Sequence, residues 1–69
     1  MDKPTVKLVG IDGNAFVILG AVSKAIKQFY TEQGNKRKGA RLAKEYQEEA
    51  TSGDYDHLLQ TTMKYCELT

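Results

Sequence analysis

The sequence predicts a small, mostly helical α+β fold in which a short N-terminal strand precedes three helices. Residues 6–9 alternate apolar and polar side chains, a helical apolar period runs through residues 15–29, and glycine-containing turns separate two later amphipathic stretches. The chain has 69 residues, of which 41% are hydrophobic and 28% charged. This composition is typical of one small globular domain, here predicted over residues 1–69, and excludes collagen-like and strongly disordered classes.

The N-terminal strand is predicted at Val6-Lys7-Leu8-Val9, with Pro4 at its edge. The turn at residues 10–14 contains an Asp-Gly pair, so the chain could return as a hairpin or enter a helix capped by Asn14. Periodicity decides for a helix over 14–33, because seven apolar residues share one stripe: Ala15, Ile18, Leu19, Val22, Ala25, Ile26 and Phe29. Val17 lies off this stripe, and we expect the N-terminal strand to cover it.

Gly34 is predicted to end the first helix in the left-handed conformation, and a second helix is predicted over 38–50. Asp54 is predicted to cap the third helix. The apolar stripes are Leu42, Ala43, Tyr46 and Ala50 in the second helix, and Tyr55, Leu58, Leu59, Thr62 and Cys66 in the third. Residues 64–69 either continue the third helix or extend and pair with 6–9. A lone strand needs a partner, which is this C-terminus or a second copy of the chain.

Several classes of function are excluded by what the sequence lacks. The single cysteine, Cys66, cannot form an intrachain disulfide, and the first residues lack the basic-then-apolar order of a secretory signal, so we expect a cytoplasmic protein. The longest apolar stretch, residues 15–22, is far shorter than the ~20 residues of a membrane span. Neither zinc-ligand spacing nor a phosphate-binding glycine loop is present. We therefore predict neither a cofactor nor an enzymatic activity.

The formal net charge of +1 conceals an uneven distribution. Residues 34–44 carry five basic residues and no acid, whereas residues 45–69 carry six acids against one lysine. The second helix therefore has cations at its N-terminus and anions at its C-terminus, the reverse of what the helix dipole favours by about 0.3–1 kcal/mol per charge. Stability of the isolated helix does not explain this arrangement, and an external partner is one explanation.

Three groups of residues are candidate sites. The basic segment, Lys36, Arg37, Lys38 and Arg41, could bind an anion or nucleic-acid backbone, although as a solvated loop it would need no ligand. The polar group Asp54, Asp56 and His57 could support acid–base chemistry, but the favoured explanation is a helix cap at Asp54 and a first-turn anion at Asp56, with His57 partly exposed. The tyrosines Tyr30, Tyr46, Tyr55 and Tyr65 could form an interface or cover a small core. Asp12-Gly13-Asn14 resembles a calcium-loop fragment without its other ligands.

Two blocks carry a resemblance to other proteins. The first comprises Lys7-Leu8-Val9-Gly10, Asp12-Gly13-Asn14-Ala15-Phe16 and Ile18-Leu19-Gly20, and the second is Ser52-Gly53-Asp54-Tyr55-Asp56-His57-Leu58-Leu59. The chain resembles a group of small, uncharacterised bacterial and bacteriophage-type proteins that bear these blocks. The resemblance implies a small stand-alone cytosolic protein of prophage or mobile-element origin, and no activity or site residue is transferred by it.

Together these observations favour a non-enzymatic protein-interaction module that binds a protein partner or associates with itself. The second hypothesis is an anion or nucleic-acid binder that uses the basic segment at residues 35–41. A small enzyme built around His57 would require a second chain to complete its site.

Overall fold

The computed structural model describes residues 3–8 and 13–68 of the chain. In chain order they form β1 (Thr5–Val6), α1 (Ala15–Glu32), α2 (Lys36–Ala50), α3 (Tyr55–Tyr65) and β2 (Glu67–Leu68). The predicted class, a short strand followed by three helices with a C-terminal strand that pairs with the first, is confirmed. No helix in this described part is long and apolar enough to cross a bilayer.

The N-terminus of α1 has the predicted cap, because the Asn14 side chain accepts a hydrogen bond from the Phe16 amide at 2.8 Å. The chain therefore forms a helix here and not a hairpin, as the apolar periodicity of residues 15–29 predicted. At the other end Gly34 adopts a φ of 79°, a left-handed conformation that glycine tolerates best. The amides of Gly34 and Asn35 bond back to the carbonyls of Thr31 and Tyr30, which is the hydrogen-bond pattern of a Schellman motif.

The second helix begins two residues earlier than predicted, at Lys36 rather than Lys38. The reason is that Asn35 closes α1 and also caps α2, since its Oδ1 accepts a hydrogen bond from the Lys38 amide at 3.3 Å. One residue thus serves both helices, and the connection between them is three residues long, 33–35. The first three basic residues consequently lie in the first turn of α2.

α1 and α2 form an antiparallel hairpin that crosses closely at Gly39. A Cβ placed on this buried glycine would lie 3.1 Å from the Lys27 carbonyl oxygen and 3.2 Å from the Tyr30 Cβ. Further along, Gln47 of α2 donates a hydrogen bond to the Ser23 hydroxyl of α1 at 2.7 Å. The C-terminal half of α1 therefore packs against the N-terminal half of α2 at Gly39, and the middle of α1 meets the C-terminal half of α2 at Gln47.

The core lies between the three helices and the terminal strands. Its buried apolar residues are Val6, Ile18, Val22, Ile26, Ala43, Tyr46, Ala50, Leu58 and Cys66. At its centre the Tyr46 hydroxyl donates to the Thr62 hydroxyl at 2.8 Å, and Thr62 in turn donates to the Leu58 carbonyl at 2.9 Å. This buried polar chain is fully hydrogen-bonded, as burial of polar groups requires.

β1 and β2 pair in parallel, with Thr5 opposite Glu67 and Val6 opposite Leu68. Parallel strands need a long crossover, which the three helices supply here. Of the two alternatives predicted for the C-terminus, the extended one is observed. The third helix ends at Tyr65 and an extended segment follows it, so Cys66 is buried outside the helix. The first strand begins at Thr5 instead of Val6 and ends at Val6. Val9, its predicted end, lies outside the described residues, as does Asp12 of the calcium-like fragment.

Two expectations about burial were wrong. Val17 is 43% exposed and is not covered by β1. It lies on the side of α1 opposite the buried stripe, whereas Pro4 and Thr5 line a depression with Ala25 and Phe29 on another face. Tyr55, assigned to the apolar stripe of the third helix, is 47% exposed, because it occupies the first turn of α3 and its hydroxyl reaches out to the Gly13 carbonyl at 2.7 Å.

Candidate functional site

The most unusual surface residue is Phe16, whose side chain is 82% exposed in the first turn of α1. Its backbone amide is fixed by the Asn14 cap, so the helix start determines where the ring lies. An aromatic ring left in water forgoes about 1.5–3 kcal/mol of burial free energy. A large apolar side chain with this exposure marks a candidate contact surface when further apolar surface adjoins it.

Such a surface adjoins Phe16 on one side. An open cleft of about 260 Å³ lies where the start of α1 meets the end of α2 and the start of α3. We call it the junction cleft, and it is lined by Ala15, Phe16, Leu19, Ala50, Thr51, Gly53, Asp54, Tyr55 and Leu58. Its lining is largely apolar, with the Asp54 carboxylate as its charged member. The cleft is suited to an apolar side chain from a partner.

A shallow trough leads from Phe16 along the line where α1 and α2 meet, and we call it the α1–α2 seam. It consists of two grooves that share Gly20 and Gln47. The first groove, about 480 Å³, contains Phe16, Leu19 and Glu48. The second, about 530 Å³, contains Lys24 and Lys27 and ends at Glu32. The seam is therefore apolar and acidic at the end that holds Phe16 and Glu48, and basic over its middle part. Gly20 lies between these two parts.

The basic segment lies on the exposed surface of the first half of α2. Its four residues Lys36, Arg37, Lys38 and Arg41 are all exposed, and the last three line an open depression of about 350 Å³ with Asn35. The Lys38 ammonium lies 5.0 Å from the centre of the Tyr30 ring, a cation–π contact. Within residues 3–8 and 13–68 the single salt bridge joins Lys64 to Glu49, so none of these four cations has a carboxylate partner there.

The polar group around His57 is part of the connection between α2 and α3. The Asp54 carboxylate accepts a hydrogen bond from the His57 amide at 2.9 Å and so caps α3 as predicted. The imidazole Nε2 lies 2.9 Å from the Glu49 carbonyl and therefore donates to it, near the C-terminus of α2. The ring also lies against Gly53, where an added Cβ would come within 2.9 Å of it. His57 thus joins two helix ends, while Asp56 is an exposed first-turn anion.

The four tyrosines do not form one surface. Tyr46 is 0% exposed and belongs to the core, which was the alternative to an interface role. Tyr30 and Tyr65 are half-buried, and Tyr65 packs edge-on against Tyr46 at 5.5 Å between ring centres. Tyr55 is the exposed one and lines the junction cleft. Of the predicted interface residues, only Tyr55 lies beside Phe16.

Burial determines the chemistry of the one thiol. Cys66 is buried and free, and desolvation raises the pKa of its thiol to about 11. A thiol with so high a pKa is a weak nucleophile near neutral pH. Within the described ranges, no group of three or more His, Cys, Asp or Glu side chains is arranged to hold a metal ion.

Sequence reasoning did not identify Phe16, Glu48, Lys24 and Lys27 as parts of one surface. One indication for Phe16 was available, since it is an aromatic residue outside the apolar stripe of its own helix. The other residues come together only through the packing of α2 on α1.

Comparisons with protein-family models, curated proteins and solved structures find no match to this chain. The resemblance of the two sequence blocks to small bacterial and bacteriophage-type proteins stays a prediction.

Proposed function

We propose that this protein is a non-enzymatic protein-interaction module that binds its partner through the junction cleft and the adjoining seam. The observation that carries the proposal is the 82% exposure of Phe16 beside an apolar cleft. A partner that covers this ring recovers burial free energy that the isolated chain forgoes. Interface anchors are commonly aromatic residues placed beside such pockets.

The roles of the other candidate residues support the same reading. The imidazole of His57 is used to join α2 to α3, and the Cys66 thiol is buried with a raised pKa. Both groups therefore have structural roles that explain their presence without catalysis. We also propose a cytosolic setting and a phage or mobile-element origin, which the buried free thiol and the two resembling sequence blocks support.

Affinity capture with matched variants tests the proposed binding surface. Phe16→Ser removes the exposed ring, and Met63→Ser changes an exposed apolar residue of α3 that lines neither the cleft nor the seam. We expect the native chain and Met63→Ser to retain the same protein, and Phe16→Ser to lose it. Retention by all three proteins, or by none, would overturn the proposal. Circular dichroism of each variant verifies that the fold is intact.

A second candidate function is the binding of an anionic polymer through the basic segment. It is favoured by four exposed cations without carboxylate partners among the described residues, three of them around an open depression. Contacts to phosphates release counterions, so binding to a nucleic acid should weaken steeply between 50 and 200 mM salt. Replacing Lys36, Arg37, Lys38 and Arg41 by Ala should abolish binding, whereas Lys7→Ala should not. Binding that survives the fourfold change would exclude this function.

A further inference from the structure

We propose that the partner bound by this surface is a second copy of the same chain, with the two α1 helices packed antiparallel about a twofold axis at Gly20. The inference rests on the proposed function, because it uses the same exposed ring and the same seam. It goes further by naming the occupant and the arrangement of the two copies.

The first step is the position of Gly20. It is exposed on the second turn of α1, and apart from its chain neighbours and its own helix backbone no atom lies within 4 Å of where its Cβ would be. Nothing inside the single chain therefore requires a glycine there, although a glycine in a helix interior costs roughly 0.5–1 kcal/mol relative to alanine. At a contact between two helices the missing side chain lets the backbones approach closely. A glycine at the centre of the seam is thus explained by a helix from outside the chain.

The second step is the spacing around this glycine. Phe16 lies four residues before Gly20 and Lys24 four residues after it. Four residues of helix span about 6 Å, so both side chains lie at the same distance from Gly20 along the axis. When two antiparallel helices face each other at Gly20, Phe16 of each copy lies opposite Lys24 of the other.

The third step is charge. Glu48 shares the groove with Phe16, and Lys27 shares the next groove with Lys24. The twofold arrangement brings Glu48 of one copy towards Lys24 and Lys27 of the other, and it does so twice. The apolar stem of Lys24 can cover the Phe16 ring while its ammonium reaches the carboxylate. Glu32, at the far end of the second groove, lies beyond the residues that this contact opposes.

The fourth step is the choice between arrangements. Two copies packed side by side with their Gly20 residues in contact match charges only when they lie antiparallel, because parallel copies would set Glu48 against Glu48. A head-to-tail contact also matches charges, but it leaves one acidic and one basic surface open and continues into longer assemblies. The arrangement about Gly20 closes after two copies, so it yields a dimer.

Complementary charge reversals test this arrangement by analytical ultracentrifugation. Glu48→Lys alone, and Lys24→Glu with Lys27→Glu, should each weaken dimerisation by about tenfold or more, because attractive contacts become repulsive in both symmetric positions. An equimolar mixture of the two variants should form a dimer again, because each reversed end then meets its opposite charge. Gly20→Gln, whose Cβ would have open space around it within the chain, should also be monomeric. Glu45→Lys, an exposed acid that lines neither groove, should dimerise like the native chain.

Each possible result of these measurements either supports or overturns the twofold dimer. A native chain that is monomeric at its highest soluble concentration, a mixture that stays monomeric, or assemblies larger than two would overturn the inference. If the native chain is monomeric but captures another protein in a Phe16-dependent way, the proposed function stands and the self-association fails. If it is monomeric and captures nothing, both fail.

Discussion

At the scale of single residues, the hydroxyl of Tyr46 determines how the centre of the core is arranged. It is the largest fully buried side chain, and burial raises the pKa of its phenol above the ordinary value of 10.0. Because Thr62 gives its own proton to the Leu58 carbonyl, its oxygen is left to accept from Tyr46. The phenol therefore links α2 to α3 through one specific hydrogen bond.

Tyr46→Phe is expected to lower the free energy of unfolding by about 0.5–1.5 kcal/mol, the usual value of one hydrogen bond. The ring stays in place, so the loss reports the hydroxyl alone. Urea unfolding measures it. Tyr55→Phe, which removes the exposed bond to Gly13, should cost less. An equal loss of unfolding free energy in both variants would contradict the expectation that the buried hydrogen bond stabilises the fold more than the exposed one.

Cys66 makes stability depend on pH in the alkaline range. Its thiol has a pKa of about 11 in the folded chain, against an ordinary value of 9.0. The folded state thus keeps a proton that the unfolded state releases, and stability is lost as the pH rises from 9 towards 11. Urea midpoints across this range should fall less steeply for Cys66→Ala. A remaining slope is expected from Tyr46 and Tyr65, whose pKa values burial also raises.

At the scale of elements, the crossing of α1 and α2 depends on Gly39. The backbone of Lys27 lies within 3.2 Å of where a Cβ would be, so a side chain there must push the helices apart. Ala40, the next residue, is exposed on the same helix and has no such constraint. The two positions form a matched pair for the same substitution.

Gly39→Val is expected to destabilise the protein by about 1–3 kcal/mol, the range for overpacking of a close contact. Ala40→Val should cost only the difference in helix propensity, under about 0.7 kcal/mol. Thermal unfolding of the two variants gives the comparison. Equal effects would mean that the helices separate without strain.

The inverted charge order of α2 is partly explained by its neighbours. Glu49 lies near the C-terminus of α2, where the helix dipole disfavours an anion. Its carboxylate accepts hydrogen bonds from the Lys64 ammonium of α3 at 3.1 and 3.2 Å. Both side chains are substantially exposed, so this pair contributes at most about 1 kcal/mol. Glu48 instead faces the seam, where the proposed second copy supplies its cations.

At the scale of the whole molecule, the fold turns a linear charge pattern into two charged ends. Because α2 runs antiparallel to α1, the cations Lys24 and Lys27 lie towards the same end as the basic segment. The acids of α2 and α3 lie near the other end, beside Phe16. Two such molecules attract each other when antiparallel, and added salt screens the attraction.

The melting temperature of the native chain is therefore expected to rise with protein concentration, since a dimer is stabilised by mass action. The rise should shrink at high salt and vanish for Phe16→Ser. Differential scanning calorimetry over a range of concentrations measures it. A melting temperature independent of concentration would contradict self-association.

The helices and their caps could be predicted from the sequence because the forces that form them are local. The apolar stripe of α1, the left-handed glycine at position 34 and the caps Asn14 and Asp54 each depend on residues a few positions apart. The start of α2 was missed because Asn35 serves two helices, which becomes apparent only once the turn geometry is known.

Surface and long-range features were decided by tertiary structure. Whether Phe16 is covered, whether Val17 meets a strand and which way β2 runs beside β1 all depend on contacts between residues far apart in the chain. The seam is the same kind of feature, since Gly20 and Glu48 come from different helices. Local periodicity states which face of a helix is apolar, but only the packing of the helices determines which apolar residues are left over for a partner.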